Sequence, residues 1–307
     1  MASDSDGALS RRAVLRLMAA ASAGMGASAG ASPALLARAI PSSGETIPAV
    51  GLGTWQTFDV GGSASERAPL REVLRRFVAA GGRVIDSSPM YGAAESVVGD
   101  LAADVGVAGT LFLATKVWTS GRAAGIAQME ASLRHLRAKR LDLMQIHNLL
   151  DWRTHLATLR EWKRAGRIRY LGVTHYTASA FDELERVLRA EPLDFVQVNY
   201  SLGEREAERR ILPLARDRGI AVLVNRPFSA GGLFGRVRGQ PLPAWAADAG
   251  CESWAQLFLK WILAHPAVTC VIPATRRPEH LVDNMKAGLG ALPDAAMRDR
   301  MAALVAR

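Results

Sequence analysis

Cysteine is nearly absent: 307 residues contain only Cys251 and Cys270. Neither belongs to a paired spacing of the zinc or dithiol kind, so buried, reduced thiols are expected, with a bridge between the two left open. Lysine is also scarce, at five of the 38 basic residues, and the net charge of +9 therefore rests on arginine. The arginines are scattered through helical stretches with acids between them. That pattern reads as solvated helix faces and argues against a nucleic-acid surface. No fixed-period repeat is present, which excludes a solenoid. No run reaches the roughly 20 strongly apolar residues that a stable membrane anchor needs. What is abundant is ordinary apolar sequence, 49% of the chain, enough for one large core.

The first 37 residues differ from the rest. Ser10-Arg11-Arg12 opens with twin arginines, and from Leu17 to Ala37 no charge occurs, only Ala, Gly, Ser, Met and a few Leu, with Pro33 near the end. Residues 1–37 are expected to be a twin-arginine export signal, read by that export machinery and directing the protein to the periplasm; the alternative is a chance arginine pair on a cytoplasmic protein. Ala and Ser insert poorly into lipid, so a cleavable segment is expected rather than an anchor. Small-residue cleavage patterns occur at Ala27-Ser28-Ala29 and at Ala37-Arg38-Ala39. The earlier is preferred, because the later would cut into a hairpin-like run at 38–48.

From residue 38 to 307 one barrel domain is expected. Short β-branched runs recur at 49–55, 83–88, 111–117, 141–148, 168–176, 194–201, 220–227 and 268–275, separated by amphipathic helical stretches. In one of these, Leu70, Val73, Leu74, Phe77 and Val78 follow the 3.6-residue period before Gly81-Gly82 stops the helix. Eight strand-then-helix units in this length predict an α/β fold, a single (β/α)8 TIM barrel, rather than a doubly wound sheet.

The barrel gives meaning to four residues. Asp86, Lys116 and His147 each close one of three successive runs, and Tyr91 follows Asp86 in D-S-S-P-M-Y-G. Strand ends of a parallel barrel share one face, so an acid, a phenol, an amine and an imidazole can converge. A phenol ordinarily titrates near pH 10, so a tyrosine acid needs a cation beside it; Lys116 is placed to serve, with Asp86 as its counter-charge. His147 can orient a carbonyl oxygen. Singly, each has a structural alternative: a helix cap, a packed aromatic, a rim charge, a satisfied histidine. Lys116 could instead form a Schiff base, as in a lyase or aldolase.

These blocks resemble the aldo-keto reductase family across nearly all of residues 38–290. G-L-G-T-W (51–55), D-S-S-P-M-Y-G (86–92), K-V-W (116–118), Q-I-H-N (145–148), G-V-T-H-Y (172–176), V-Q-V-N-Y (196–200) and I-P-A-T-R-R-P-E-H-L-V-D-N (272–284) match in order. The resemblance places the catalytic tetrad on Asp86, Tyr91, Lys116 and His147. It implies metal-free hydride transfer between a nicotinamide cofactor and a small carbonyl or alcohol.

It also implies cofactor contacts at Gly53, Thr54, Trp55, Asp86, Asn148, Thr174, His175, Gln197 and the 225–228 stretch of Asn225, Arg226, Pro227 and Phe228. Thr174-His175 stands where the family has a Ser-Asn pair for the carboxamide, and Asn225 where many relatives stack an aromatic. The glycines of 227–234 suit a backbone approach to pyrophosphate. For the 2′-phosphate, Ala274 and His280 replace the usual lysine and arginine, while Thr275 and Asn284 remain. Arg276 and Arg277 could supply the charge, which favours NADP(H) and leaves NAD(H) open. The substrate is expected to meet Trp55, Tyr91, Trp118 and His147, with Trp152 either reaching it or packing in the following helix. The long C-terminal specificity loop of some relatives is expected to be absent. A non-catalytic nicotinamide-binding module is the remaining alternative.

Overall fold

A strand two residues long can still close a barrel, and here two such strands form the seam. The computed structural model describes residues 34–305, together with Met1, so the twin arginines and the uncharged run up to residue 33 lie outside the described residues. The chain divides between Ala34 and Leu35. In order, the strands are β1 (Ala37–Ala39), β2 (Thr46–Pro48), β3 (Leu52–Gly53), β4 (Val84–Asp86), β5 (Phe112–Val117), β6 (Leu141–His147), β7 (Ile168–Thr174), β8 (Phe195–Asn199), β9 (Ala221–Asn225) and β10 (Cys270–Val271). The helices are α1 (Ala64–Ala79), α2 (Ala94–Val105), α3 (Arg122–His135), α4 (Trp152–Arg164), α5 (Phe181–Ala190), α6 (Ile211–Asp217), α7 (Gly232–Arg236), α8 (Trp254–Leu263), α9 (Pro278–Lys286) and α10 (Ala295–Ala303).

Strands β3 to β10 form one eight-stranded sheet in sequential order. Parallel bridges Val50–Val271 and Gly53–Ala274 join its two ends, completing the (β/α)8 barrel. The first and last apolar runs yield far shorter strands than their length suggests. Pro273 has no amide hydrogen for a ladder, and the first run's glycines approach the backbones on both sides closely, the last run at Gly53 and the second at Gly51. A Cβ on Gly53 would stand 2.8 Å from the Ile272 carbonyl oxygen, and one on Gly51 2.9 Å from that of Val84.

Helix α1 forms as its periodicity requires. Ser63 caps it by accepting from Glu66 N at 3.3 Å, and Leu70, Val73, Leu74 and Phe77 are buried, whereas Val78 is only partly so. At the floor of the barrel, β1 and β2 pair antiparallel and carry Ile40 and Ile47 into the interior. Arg38 fastens this hairpin by donating to the carbonyl oxygens of His265, Val268 and Leu263. The barrel body also takes in residues ahead of 38: Leu36 N donates to Gly288 O at 2.8 Å, and Leu35 packs on the core.

Alternation along the strands builds the site. Side chains of one parity point inward. On that parity Val84, Phe112, Ala114, Leu143, Phe195, Ala221 and Leu223 fill the interior with Tyr170, Cys270 and Ile272. Two residues further along their strands, the same parity delivers Asp86, Lys116, Gln145, Gln197 and Asn225, with His147 and Thr174 at the ends of β6 and β7. The inward layer thus changes from apolar to polar at the carboxyl ends, which is where a barrel keeps its chemistry. Cys251 and Cys270 are both buried and unbridged; burial pushes the Cys251 thiol up to about 11, so neither sulfur is a ready nucleophile.

Candidate active site

Asp86 is the hub. Its Oδ2 accepts from Lys116 Nζ at 2.6 Å, and its Oδ1 accepts from Gln197 Nε2 at 2.8 Å and Gln145 Nε2 at 3.1 Å. Lys116 is fully buried and also donates to the Ser87 carbonyl oxygen at 2.7 Å. Burial disfavours its ammonium, but the Asp86 charge, Tyr91 and the hydrogen bonds outweigh that and hold its pKa above the ordinary lysine value. A protonated amine committed to two acceptors is a poor Schiff-base nucleophile. The lyase reading of Lys116 loses its chemistry on that ground.

Tyr91 follows in a turn whose N–H donates to Ser88 O at 3.0 Å, and Lys116 Nζ lies 5.0 Å from its ring centroid. Burial raises the phenol's pKa, Lys116 lowers it and the Asp86 charge raises it, with a net shift upward. Lys116 thus lowers the phenol's pKa in the expected direction, and burial, the larger effect, outweighs it.

His147 packs edge-on to Tyr91 at 5.9 Å between centroids and lies 6.3 Å from Trp118. Its Nδ1 shares a 3.1 Å hydrogen bond with Ser88 Oγ. Burial, then the charges of Lys116 and His175, push its pKa down to about 2, so the ring is neutral at physiological pH. Gln128, from α3, holds Trp118 through both backbone groups, accepting from its N at 2.6 Å and donating to its O at 3.1 Å.

These groups open onto a cavity of about 1130 Å³ whose wall includes Asp86, Tyr91 and His147. Gly53, Thr54, Trp55, Trp118, Asn148, Thr174, Gln197, Asn225, Arg226, Pro227, Phe228, Ala274 and Arg276 line it as well. Gln56, Met90 and Tyr176 also line it and were not singled out from the sequence, and Gly231 and Phe234 bring in the glycine-bearing 227–234 loop. Gln145 and Ser88 were missed too, although both lie inside quoted motifs. Two acceptor atoms on the wall, Asn148 Oδ1 and Asn225 Oδ1, are buried without a partner. With Gln197 and the Thr174 hydroxyl beside them, they fit a carboxamide, whose NH2 supplies donors and whose oxygen accepts.

Other expected contacts fall elsewhere or are already engaged by protein groups. His175 is not on the cavity wall; its Nδ1 accepts from Tyr176 N at 3.0 Å and Thr177 N at 3.3 Å, so the ring caps its own loop. Arg226 is bound to Glu204, with Nη2 to Oε1 at 2.9 Å. Arg277 is paired with Glu279 at 2.7 Å and is off the cavity wall, bordering an adjoining groove that Arg276 also lines. Thr275 is buried and spends its hydroxyl accepting Arg277 N at 3.1 Å at the start of α9. His280 and Asn284, on α9, are off the cavity wall. Trp152 opens α4 and donates to Glu183 at 3.2 Å, so it packs in the helix and does not reach the cavity. Arg276 alone presents a guanidinium at the rim that no other described residue engages through a hydrogen bond or ion pair.

The chain belongs to the aldo/keto reductase family, whose model matches residues 49–303. It is 32% identical over 246 residues to methylglyoxal reductase YeaE of Escherichia coli (strain K12), covering 78% of this chain and 84% of that one. A crystal structure of an aldo/keto reductase from Klebsiella pneumoniae in complex with NADP and acetate superposes with a TM-score of 0.72 at 28% identity, covering 85% of this chain and 93% of the other. The thermostable aldo-keto reductase Tm1743, solved with the inhibitor epalrestat, gives the same TM-score at 26% identity, covering 88% of this chain and all of that one.

Proposed function

We propose that the protein reduces the carbonyl group of an aldehyde or ketone to an alcohol with NADPH, and that Tyr91 is the general acid. The observation that carries this reading is the buried Lys116–Asp86 pair beneath Tyr91, with neutral His147 on the same cavity wall. When bound, NADPH supplies the hydride to the carbonyl carbon. Tyr91 gives its proton to the carbonyl oxygen as negative charge develops there. Lys116, fixed by Asp86, favours the phenolate left behind, and it returns to a charge-balanced pair once Tyr91 is reprotonated.

Asn148, Thr174, Gln197 and Asn225 are the residues to hold the carboxamide, and Arg276 the one to meet the 2′-phosphate. Preference for NADPH over NADH rests on that single rim arginine. The decisive assay is loss of reduced-nicotinamide absorbance on adding an aldehyde to purified protein and NADPH, with alcohol recovered in equal amount. Tight NADPH binding without turnover would favour a nicotinamide-binding module instead.

The substrate we favour is bulkier and more apolar than methylglyoxal, the compound in the name of the Escherichia coli relative. Of the seven large hydrophobic residues exposed among those described, five (Trp55, Met90, Trp118, Tyr176 and Phe234) stand on this one cavity. Exposed apolar side chains gathered in one place mark an apolar ligand or partner. An aromatic aldehyde is expected to show the higher kcat/KM of the two; a higher value for methylglyoxal would reverse the assignment.

We also propose export through the twin-arginine route to the periplasm. Support comes from the twin arginines, the uncharged run after them and the place of the fold's first contacts. A cut after Ala39 would remove Arg38 and β1, whereas a cut near Ala29 leaves the hairpin whole. Fractionation with N-terminal sequencing is the test. Native protein shortened by about 30 residues in the periplasm, and Arg11→Lys/Arg12→Lys protein retained in the cytoplasm, are the expected results; an uncleaved, wholly cytoplasmic native protein would contradict them.

A further inference from the structure

Ser88 sits inside D-S-S-P-M-Y-G and is wholly buried, yet it is not on the cavity wall and would not touch substrate. Two bonds tie it to both groups that would flank a carbonyl oxygen. Its backbone oxygen accepts from Tyr91 N at 3.0 Å, and its hydroxyl meets His147 Nδ1 at 3.1 Å. We propose that Ser88 is a positioning residue for the reduction: its hydroxyl, donating to Nδ1, fixes His147 as the Nε2–H tautomer and makes the imidazole a hydrogen-bond donor toward the substrate's carbonyl oxygen.

The direction of that bond follows from the other neighbour of Oγ. Met90 N, which can only donate, points at Oγ from 3.4 Å. If Nδ1 carried the proton, Oγ would accept twice and its own hydrogen would be buried with no acceptor, an unsatisfied donor that the fold disfavours. If Oγ donates to Nδ1, both of its roles are satisfied. The neutral ring of His147 then has its one proton on Nε2, the nitrogen with no partner among the described residues. An imidazole so set cannot supply the reaction's proton without becoming an anion, which leaves the proton to Tyr91 and gives His147 an orienting role. One serine thereby couples the tautomer of the orienting ring to the turn that carries the acid.

The inference rests on carbonyl reduction as the reaction, but its first test does not depend on turnover. Long-range nitrogen–proton NMR of the full-length, cofactor-free protein reports both ring nitrogens of His147. Nδ1 is expected in the unprotonated range and Nε2 in the protonated range, and a protonated Nδ1 would overturn the proposal. The second test is Ser88→Ala. The imidazole should then sample both tautomers, and kcat for an aromatic aldehyde should fall at least about twofold, as the share of molecules in the Nε2–H form drops. The dissociation constant for NADPH, read by fluorescence titration, should stay as in the native protein. Unchanged kcat, or the native tautomer persisting in Ser88→Ala, would equally overturn it. Absence of turnover in the native protein would instead strike the reductase reading and leave the tautomer to the spectrum.

Discussion

At the scale of single residues, the site works by giving one carboxylate several donors and leaving one phenol its proton. Removing the cation should show this in the pH profile. Tyr91 must be protonated to act in reduction, so the rate falls as pH rises through its pKa. Lys116 lowers that pKa, and Lys116→Met should therefore move the alkaline limb to higher pH while lowering the plateau. The same change leaves Asp86 charged and buried with only amide partners, which should destabilise the fold by about 3 kcal/mol in denaturant unfolding. Because the folded pKa of Lys116 is raised, the pair's contribution to stability is full below the free lysine value and is lost as pH climbs through the folded one. The rim arginines separate in the same way. Arg276→Ala should weaken NADPH at least about tenfold and NADH little, from the loss of a charge-assisted contact worth about 1.5–3 kcal/mol, whereas Arg277→Ala should change neither much because Glu279 already holds it. Equal loss for both cofactors in Arg276→Ala would place that arginine's role elsewhere.

Among the elements, the long central strands were legible and the seam was not. β6 and β7 are near-continuous apolar runs that end on His147 and Thr174, so strand, parity and functional terminus could be read together. β3 and β10 shrink to two residues each because close backbone approach at Gly51 and Gly53 and the missing amide of Pro273 replace regular pairing, and neither effect is local to its own segment. Arg226 was hidden for the same reason, since only the folded chain brings Glu204 within its reach, whereas His175 turns to the amides of Tyr176 and Thr177 just after it, a local rotamer that the motif does not display. Asp86, Tyr91, Lys116 and His147 were accessible to sequence reading because strand ends of a barrel converge; Ser88 and Gln145 were not, since their roles depend on one side chain's orientation. The floor hairpin offers its own test. Arg38→Ala removes charged hydrogen bonds to three carbonyl oxygens beyond α8 and at its end, and should cost about 2–3 kcal/mol in urea unfolding. Cofactor affinity should be untouched, because the cavity lies at the opposite end of the strands.

For the whole molecule, the barrel separates stability from chemistry along its axis: an apolar interior sealed below by β1 and β2, and a polar layer above it facing one aromatic-rimmed cavity. The central claim is that hydride reaches a carbonyl carbon while Tyr91 supplies the proton. The most direct measurement follows the hydride itself: purified protein is given an aromatic aldehyde and NADPH carrying deuterium at the transferred position, and the alcohol is weighed by mass spectrometry. The expected result is an alcohol one mass unit heavier, formed at least about a hundredfold more slowly by Tyr91→Phe, which still binds NADPH. Alcohol without deuterium, or Tyr91→Phe turning over at the native rate, would contradict the account.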